Sequence, residues 1–164
     1  MKKSKTEFID SKASIGHVHL KVADLERAVK FYTKVLGFQI TTKLGSGAAF
    51  LSAGGYHHHI GLNTWESANG KPPPRGSTGL YHFAILVSNR KELARVLKRL
   101  MDSSWLLDGT ADHGTHEALY LKDPDENGIE IYCDRPKNKW PRDSKGKLLM
   151  HARALDIGNL LQEL

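Results

Sequence analysis

Cysteine is nearly absent from this chain: Cys133 is the single one among 164 residues. An intramolecular disulfide is therefore excluded, and the usage suits a reducing cytoplasm. Cys133 follows an alternating apolar stretch and reads as a small buried hydrophobe. No apolar run approaches the roughly 18 residues that a membrane-spanning helix needs. The opening MKKSKTEFIDSK lacks the apolar centre of a secretory signal, so the expectation is a cytoplasmic protein with no membrane partner. Aromatic residues make up only 8% and do not interleave with the basic clusters as stacking platforms would. The net charge of +6 is accordingly not read as nucleic-acid binding, and is expected instead to draw anionic small molecules toward a site. Asp and Glu are missing altogether from residue 27 to residue 65.

What is present is a repeat. His17-Val-His-Leu-Lys-Val followed by DLERAVKFYTKVLGF is echoed, 65 residues later, by His82-Phe-Ala-Ile-Leu-Val followed by NRKELARVLKRLMDS. Each copy opens with the period-two alternation of a strand. A capping residue comes next, Asp24 or Asn89, and then a helical apolar stripe. In the first helix the stripe is Leu25, Ala28, Val29, Tyr32, Val35 and Leu36, with Gly37 as the stop; in the second it is Leu93, Val96, Leu97 and Leu100. Short strand-like runs broken by Gly, Asp or Asn follow each helix: FQITTKL, GAAFLSA and HHHIGLN, then SSWLLDG, HEALYLKD and GIEIYCD. The expected fold class is α+β, two tandem βαβββ units forming a paired, curved mixed sheet around a shared cleft. The expected boundaries are a flexible segment 1–13 and a domain 14–136, followed by an extension 137–164 with a short helix. Within the domain, unit one runs 14–66, a linker 67–79 and unit two 80–136. The linker holds three prolines and three glycines and reads as a crossover with some lid duty.

Three positions lift out of the nine histidines and the scattered acids. His17 and His82 open the first strand of each repeat, at matching places, and Glu130 lies in the last strand of unit two. If the repeats pack about a pseudo-twofold axis, two imidazoles and one carboxylate converge on a metal with open positions, the facial arrangement associated with non-haem iron. The acid-free span leaves the last strand of unit one without a carboxylate to match Glu130. A site with two histidines and two carboxylates is thereby excluded unless Glu66 or a histidine substitutes.

The chain resembles the vicinal oxygen chelate superfamily, and within it the bacterial catechol 2,3-dioxygenase-like ring-cleaving proteins. The resemblance rests on GHVHLKVADLERAVKFYTKVLGF, FLSAGGYHHHIGLNTW, GLYHFAIL and DHGTHEALYLKDPDENGIEIYCDRP, together roughly residues 15–136. The tail NKWPRDSKGKLLM resembles the segment that leads into a second paired-unit domain in longer relatives. The resemblance implies metal ligands at His17, His82 and Glu130. It also implies Tyr120 and His113 beside the metal, and His58 as the acid–base residue. Which of residues 57–59 faces inward stays open, because alternation sets His58 opposite His57 and His59. Glu126 departs from the family turn, which has Gly there; Asn127 or Gly128 is expected to take any left-handed conformation. Fe(II) is the implied cofactor, with Mn(II) or another divalent metal as the other candidates. The implied partners are a small aromatic substrate and O2, with a homodimer paired through strand edges and the apolar tail 154–164 packing across it. The competing readings are a glyoxalase-like or thiol-transferase metalloenzyme, a metal-free antibiotic-sequestering protein, and a domain that kept its ligands but lost turnover.

Overall fold

The computed structural model describes residues 8–164; the flexible-segment expectation for 1–13 thus falls partly on residues 1–7, outside the described residues. The α+β class and the two tandem βαβββ units are both present. Unit one contains β1 (Val18–Lys21), α1 (Leu25–Lys30), β2 (Gln39–Leu44), β3 (Ala48–Ser52) and β4 (Ile60–Asn63). Unit two contains β5 (Phe83–Leu86), α2 (Arg90–Asp102), β6 (Leu107–Asp112), β7 (His116–Lys122) and β8 (Gly128–Asp134), and α3 (Ile157–Leu161) follows. The two four-stranded sheets share one strand order, β1-β4-β3-β2 and β5-β8-β7-β6. In each, the first strand pairs in parallel with the last, and the remaining pairs are antiparallel. Each unit also carries a register shift in the same place, at Ile40/Thr42 in β2 and at Leu107/Gly109 in β6.

Both helices begin as the capping residues dictate. Asp24 accepts from the Arg27 amide at 3.0 Å and Asn89 from the Glu92 amide at 3.0 Å, satisfying one of the amides that a helix start leaves unpaired. The helices differ beyond that point. α2 runs for 13 residues without a break, whereas α1 passes after six into a π-helical turn, Phe31–Val35. Gly37 ends that turn at φ +91°, and a Cβ there would lie 1.7 Å from Arg99 Nη1. Only glycine satisfies both the left-handed backbone and the approach of this guanidinium, which donates to the Leu36 carbonyl at 3.1 Å.

The inward residues of both sheets and both helices form one hydrophobic cluster. The units are joined there by the Phe31 and Trp105 rings, 4.6 Å apart. Polar contacts join them at the β7–β8 turn. Asp123 accepts from the Tyr32 hydroxyl at 2.9 Å, while Asp125 accepts from the Ala23 amide at 3.0 Å and from Arg27 at 2.6 Å. The left-handed residue of this turn is Glu126 itself, at φ +65°, not Asn127 or Gly128 as expected. Gly128 is needed for a different reason: a Cβ on it would collide with the Tyr81 carbonyl at 2.2 Å.

Residues 67–79 hold neither strand nor helix and are almost wholly exposed. The apolar tail makes its contacts in this chain on its own unit two. α3 packs on α2 of its own chain, with Leu160 fully buried and Arg90 bonded to Glu163 and Asn159. Among the described residues, no helix is long and apolar enough to cross a membrane.

Candidate metal and catalytic site

Alternation along unit two sorts its sheet into two faces. Phe83, Leu119, Leu121, Ile129 and Ile131 turn into the core, which leaves Ala84, His116, Ala118, Tyr120, Glu130 and Tyr132 on the opposite face. Glu130 sits between its register partners Ala84 on β5 and Tyr120 on β7. Only 8% of this residue is exposed. Its carboxylate meets His82 Nε2 at 3.0 Å through Oε2, and His116 Nε2 at 3.3 Å and the Tyr120 hydroxyl at 3.2 Å through Oε1.

Around this carboxylate the remaining atoms are held in turn. Thr115 Oγ1 lies 2.8 Å from His116 Nδ1. His113 Nδ1 donates to the His151 carbonyl at 2.7 Å, and its Nε2 lies 2.8 Å from the Tyr120 hydroxyl. Burial raises the Tyr120 pKa first, the Glu130 charge and hydrogen bond second, to about 12. The phenol therefore keeps its proton near neutral pH.

A buried carboxylate requires compensating charge or dense hydrogen bonding. The partners of Glu130 among the described residues are two imidazoles and a phenol, with no Lys or Arg. Imidazole and carboxylate donors suit a divalent transition metal, so the donor set fits one. His113, His116 and Glu130 each bring a ligand atom within 4.8 Å of the others.

Unit one gathers a second group. The His17 and His58 rings are 4.5 Å apart, with Phe50 5.0 Å beyond His58. His57 Nδ1 reaches His58 Nδ1 at 2.8 Å, while His59 turns to the Ser52 hydroxyl at 3.1 Å. Of the three adjacent histidines, His58 is thus the one set against His17. Slight burial, then the charges of His17, His57, His19 and His59, lower the His58 pKa from the usual imidazole value.

The structure therefore brings together His82, Glu130, Tyr120 and His113, and separately His17 with His58. His17 is exposed and does not join His82 and Glu130 in a group of mutually close ligand atoms. His116, which opens β7, was not among the site residues the sequence singled out. The signal was available: His116, Ala118 and Tyr120 recur at the spacing of one strand face.

Residues 14–131 match the Glyoxalase/Bleomycin resistance protein/Dioxygenase superfamily. The chain is 46% identical over 149 residues to the catechol-2,3-dioxygenase of Bacillus subtilis, covering 91% of this chain and 51% of that protein. It is 31% identical over 153 residues to the metapyrocatechase of Geobacillus stearothermophilus, covering 91% and 43%. A shorter relative, the metallothiol transferase FosB of Lysinibacillus sphaericus, is 28% identical over 142 residues, covering 84% and 94%. Among solved structures, a glyoxalase/dioxygenase from Nostoc punctiforme superposes with a TM-score of 0.65 at 19% identity, covering 80% of this chain and 98% of that one. The fold, the matched span and the relatives agree: this chain belongs to the glyoxalase/bleomycin resistance protein/dioxygenase superfamily. It is similar to dioxygenases of that superfamily, and it spans about half the length of the two dioxygenases named.

Proposed function

We propose that this chain is a metal-dependent extradiol ring-cleaving dioxygenase unit acting on a catechol-type substrate with O2. The observation that carries the reading is the buried Glu130 carboxylate, held by His82, His116 and Tyr120 without a cationic side chain. The 46% identity to a catechol-2,3-dioxygenase supports it. His82 and Glu130 would hold Fe(II), with Mn(II) as the substitute, and His17 would supply the third ligand. When bound, the metal would lower the pKa of a catechol hydroxyl and hold both reactants side by side.

The chain's own residues would do the rest. His58, neutral near pH 7, would take the catechol proton and return it late in the reaction. Tyr120, which keeps its proton, would donate a hydrogen bond to the substrate oxygen. His113, fixed through Nδ1 by the His151 carbonyl, would keep the phenol in place. We include a homodimer in the same reading. β1 and β5 are edge strands of their sheets, and His17 does not join the other two ligands within one copy. The single cysteine suits work in the cytoplasm.

The test is anaerobic reconstitution with Fe(II), addition of catechol, then admission of oxygen with uptake and the yellow ring-fission product recorded together. Uptake matched to product, and lost in Glu130→Ala, is the expected result. Tight metal binding without uptake across a panel of catechols would move the assignment to a thiol transferase, the activity named for the relative matched over nearly its whole length. Absence of metal binding would overturn both. Sedimentation of the loaded protein reads the dimer.

A further inference from the structure

Beyond β8 the chain turns back over the face that carries Glu130. Residues 141–149 close into a small hairpin, in which Arg142 bridges Leu148. The returning strand is pinned to the edge of β6, where Arg153 and Asp112 exchange amide hydrogen bonds of 2.9 and 3.0 Å. Gly114, at φ +77°, lets it approach, since a Cβ there would lie 2.6 Å from the His151 ring. The same glycine makes the tight turn in which the His113 amide donates to the His116 carbonyl at 2.9 Å. The two imidazole rings come to 4.6 Å apart as a result.

Each of these imidazoles is engaged through Nδ1 and leaves Nε2 on the Glu130 side. His113 Nδ1 bonds the His151 carbonyl at 2.7 Å, and His116 Nδ1 lies 2.8 Å from the hydroxyl of the buried Thr115. Metal-ligating histidines are fixed in this way, with an outer partner on the nitrogen that does not meet the ion. His116 Nε2 stands 3.3 Å from Glu130 Oε1, and two ligands about 2.1 Å from a tetrahedral ion stand about 3.4 Å apart. His113 brings its ligand atom within 4.8 Å of both, so closing on the ion takes at most about 1.4 Å of ring movement. The other carboxylate oxygen, Oε2, faces His82 at 3.0 Å. Glu130 thus offers one oxygen to a histidine that the ring-cleaving reading uses as a ligand, and the other to two histidines that it does not.

We propose that His113, His116 and Glu130 Oε1 form a second cation site, bridged through Glu130 to the one at His82, and that it takes Zn2+. Two imidazoles and one carboxylate with an open fourth position are a donor set that suits zinc, and such donors hold zinc more tightly than Fe(II). A cavity of about 350 Å³ bordered by Thr115, His116 and Glu130 gives the ion a way in. Occupancy takes Oε1 and His113 Nε2 from the Tyr120 hydroxyl, which otherwise lies within hydrogen-bond reach of both. Zinc here therefore opposes whatever that phenol does. The site rests on the geometry of these three residues and stands apart from the ring-cleaving reading.

The experiment is equilibrium dialysis of the metal-free full chain against Zn2+, with the thermal midpoint of each variant as the folding control. The wild-type chain is expected to take up one ion more than His116→Ala. In a His82→Ala background, which removes a ligand of the other ion, one zinc should stay bound. Adding His113→Ala or His116→Ala there should weaken it by more than about 100-fold, beyond the loss of an outer contact, and Thr115→Val by about tenfold. Adding His58→Ala should leave it unchanged, which separates the site from the adjacent histidines 57–59. Equal uptake by wild-type and His116→Ala chains overturns the second site, as does a zinc in the His82→Ala chain that is indifferent to His113→Ala and His116→Ala. Either result leaves the ring-cleaving reading standing, since that is decided separately by oxygen uptake with Fe(II) and catechol.

Discussion

The two units are copies in topology and opposites in chemistry. Unit two buries its carboxylate among imidazoles and a phenol, and covers the same face with the tail hairpin. Unit one presents His17, His19 and His57 at an exposed face, has no acid between residues 27 and 65, and exposes every residue of β2. The duplicated strand order thus supplies a scaffold twice, while the electrostatic demand for a cation arises only where a carboxylate is buried. Repeat symmetry predicts where ligands can stand; burial decides which of them need a metal.

Breaking the difference at its centre has the largest expected effect. Glu130→Gln keeps the shape but removes the charge, and should weaken metal binding by at least about 100-fold, read by equilibrium dialysis with metal analysis. The clasp between the units comes next. Tyr32→Phe removes a buried hydrogen bond to the Asp123 carboxylate and should cost about 2 kcal/mol, visible as a lower urea midpoint with an unchanged m-value. Asp123 sharpens that measurement through pH. Burial raises its pKa, and its bonds to Asn127, Tyr32 and Asp125 offset only part of that. The native chain then holds this proton more tightly than the unfolded one. Stability falls as pH rises from the ordinary carboxylate range through the raised value, and Asp123→Asn should flatten that stretch of the profile.

A smaller effect tests how much of the unit-two network belongs to the metal. His116→Ala removes one donor from Glu130 and should lower metal affinity about tenfold, with little change in thermal midpoint. The smallest is Glu126→Gly. It relieves a left-handed non-glycine residue, which costs about 1–2 kcal/mol, but loosens the unfolded chain. The net expectation is a gain of about 0.5 kcal/mol in the urea midpoint assay, the difference between those two effects.

Much of this was legible in the sequence because it is local. Strand alternation located all eight strands, with β6 starting two residues beyond the tryptophan expected within it, and the capping residues Asp24 and Asn89 do what their identities predict. The strands that carry Tyr120 and Glu130 were readable in the same way, while the register that sets the two side by side is a finding of the structure. What was not legible depends on distant pairing. The π-helical turn at 31–35 follows no local signal, and the clasp at Asp123 requires knowing that a turn of unit two lies on the helix of unit one. Likewise, the docking of the tail on β6 is set by Gly114 and a bridge between residues 41 positions apart. His17 shows the limit most clearly: its place in the repeat was readable, its exposure and its packing against the His58 ring were not.

The paired register shifts have one more consequence. β2 and β6 are the outer strands of their sheets, and an outer strand offers unsatisfied amides on which a foreign strand can grow. In β6 that invitation is partly withdrawn by Arg153. In β2, where Ile40 and Leu44 are exposed, the irregularity at Ile40/Thr42 twists the edge out of line and Lys43 adds a charge. The chain thereby discourages its own stacking into fibres at a margin where apolar side chains and an open strand edge coincide.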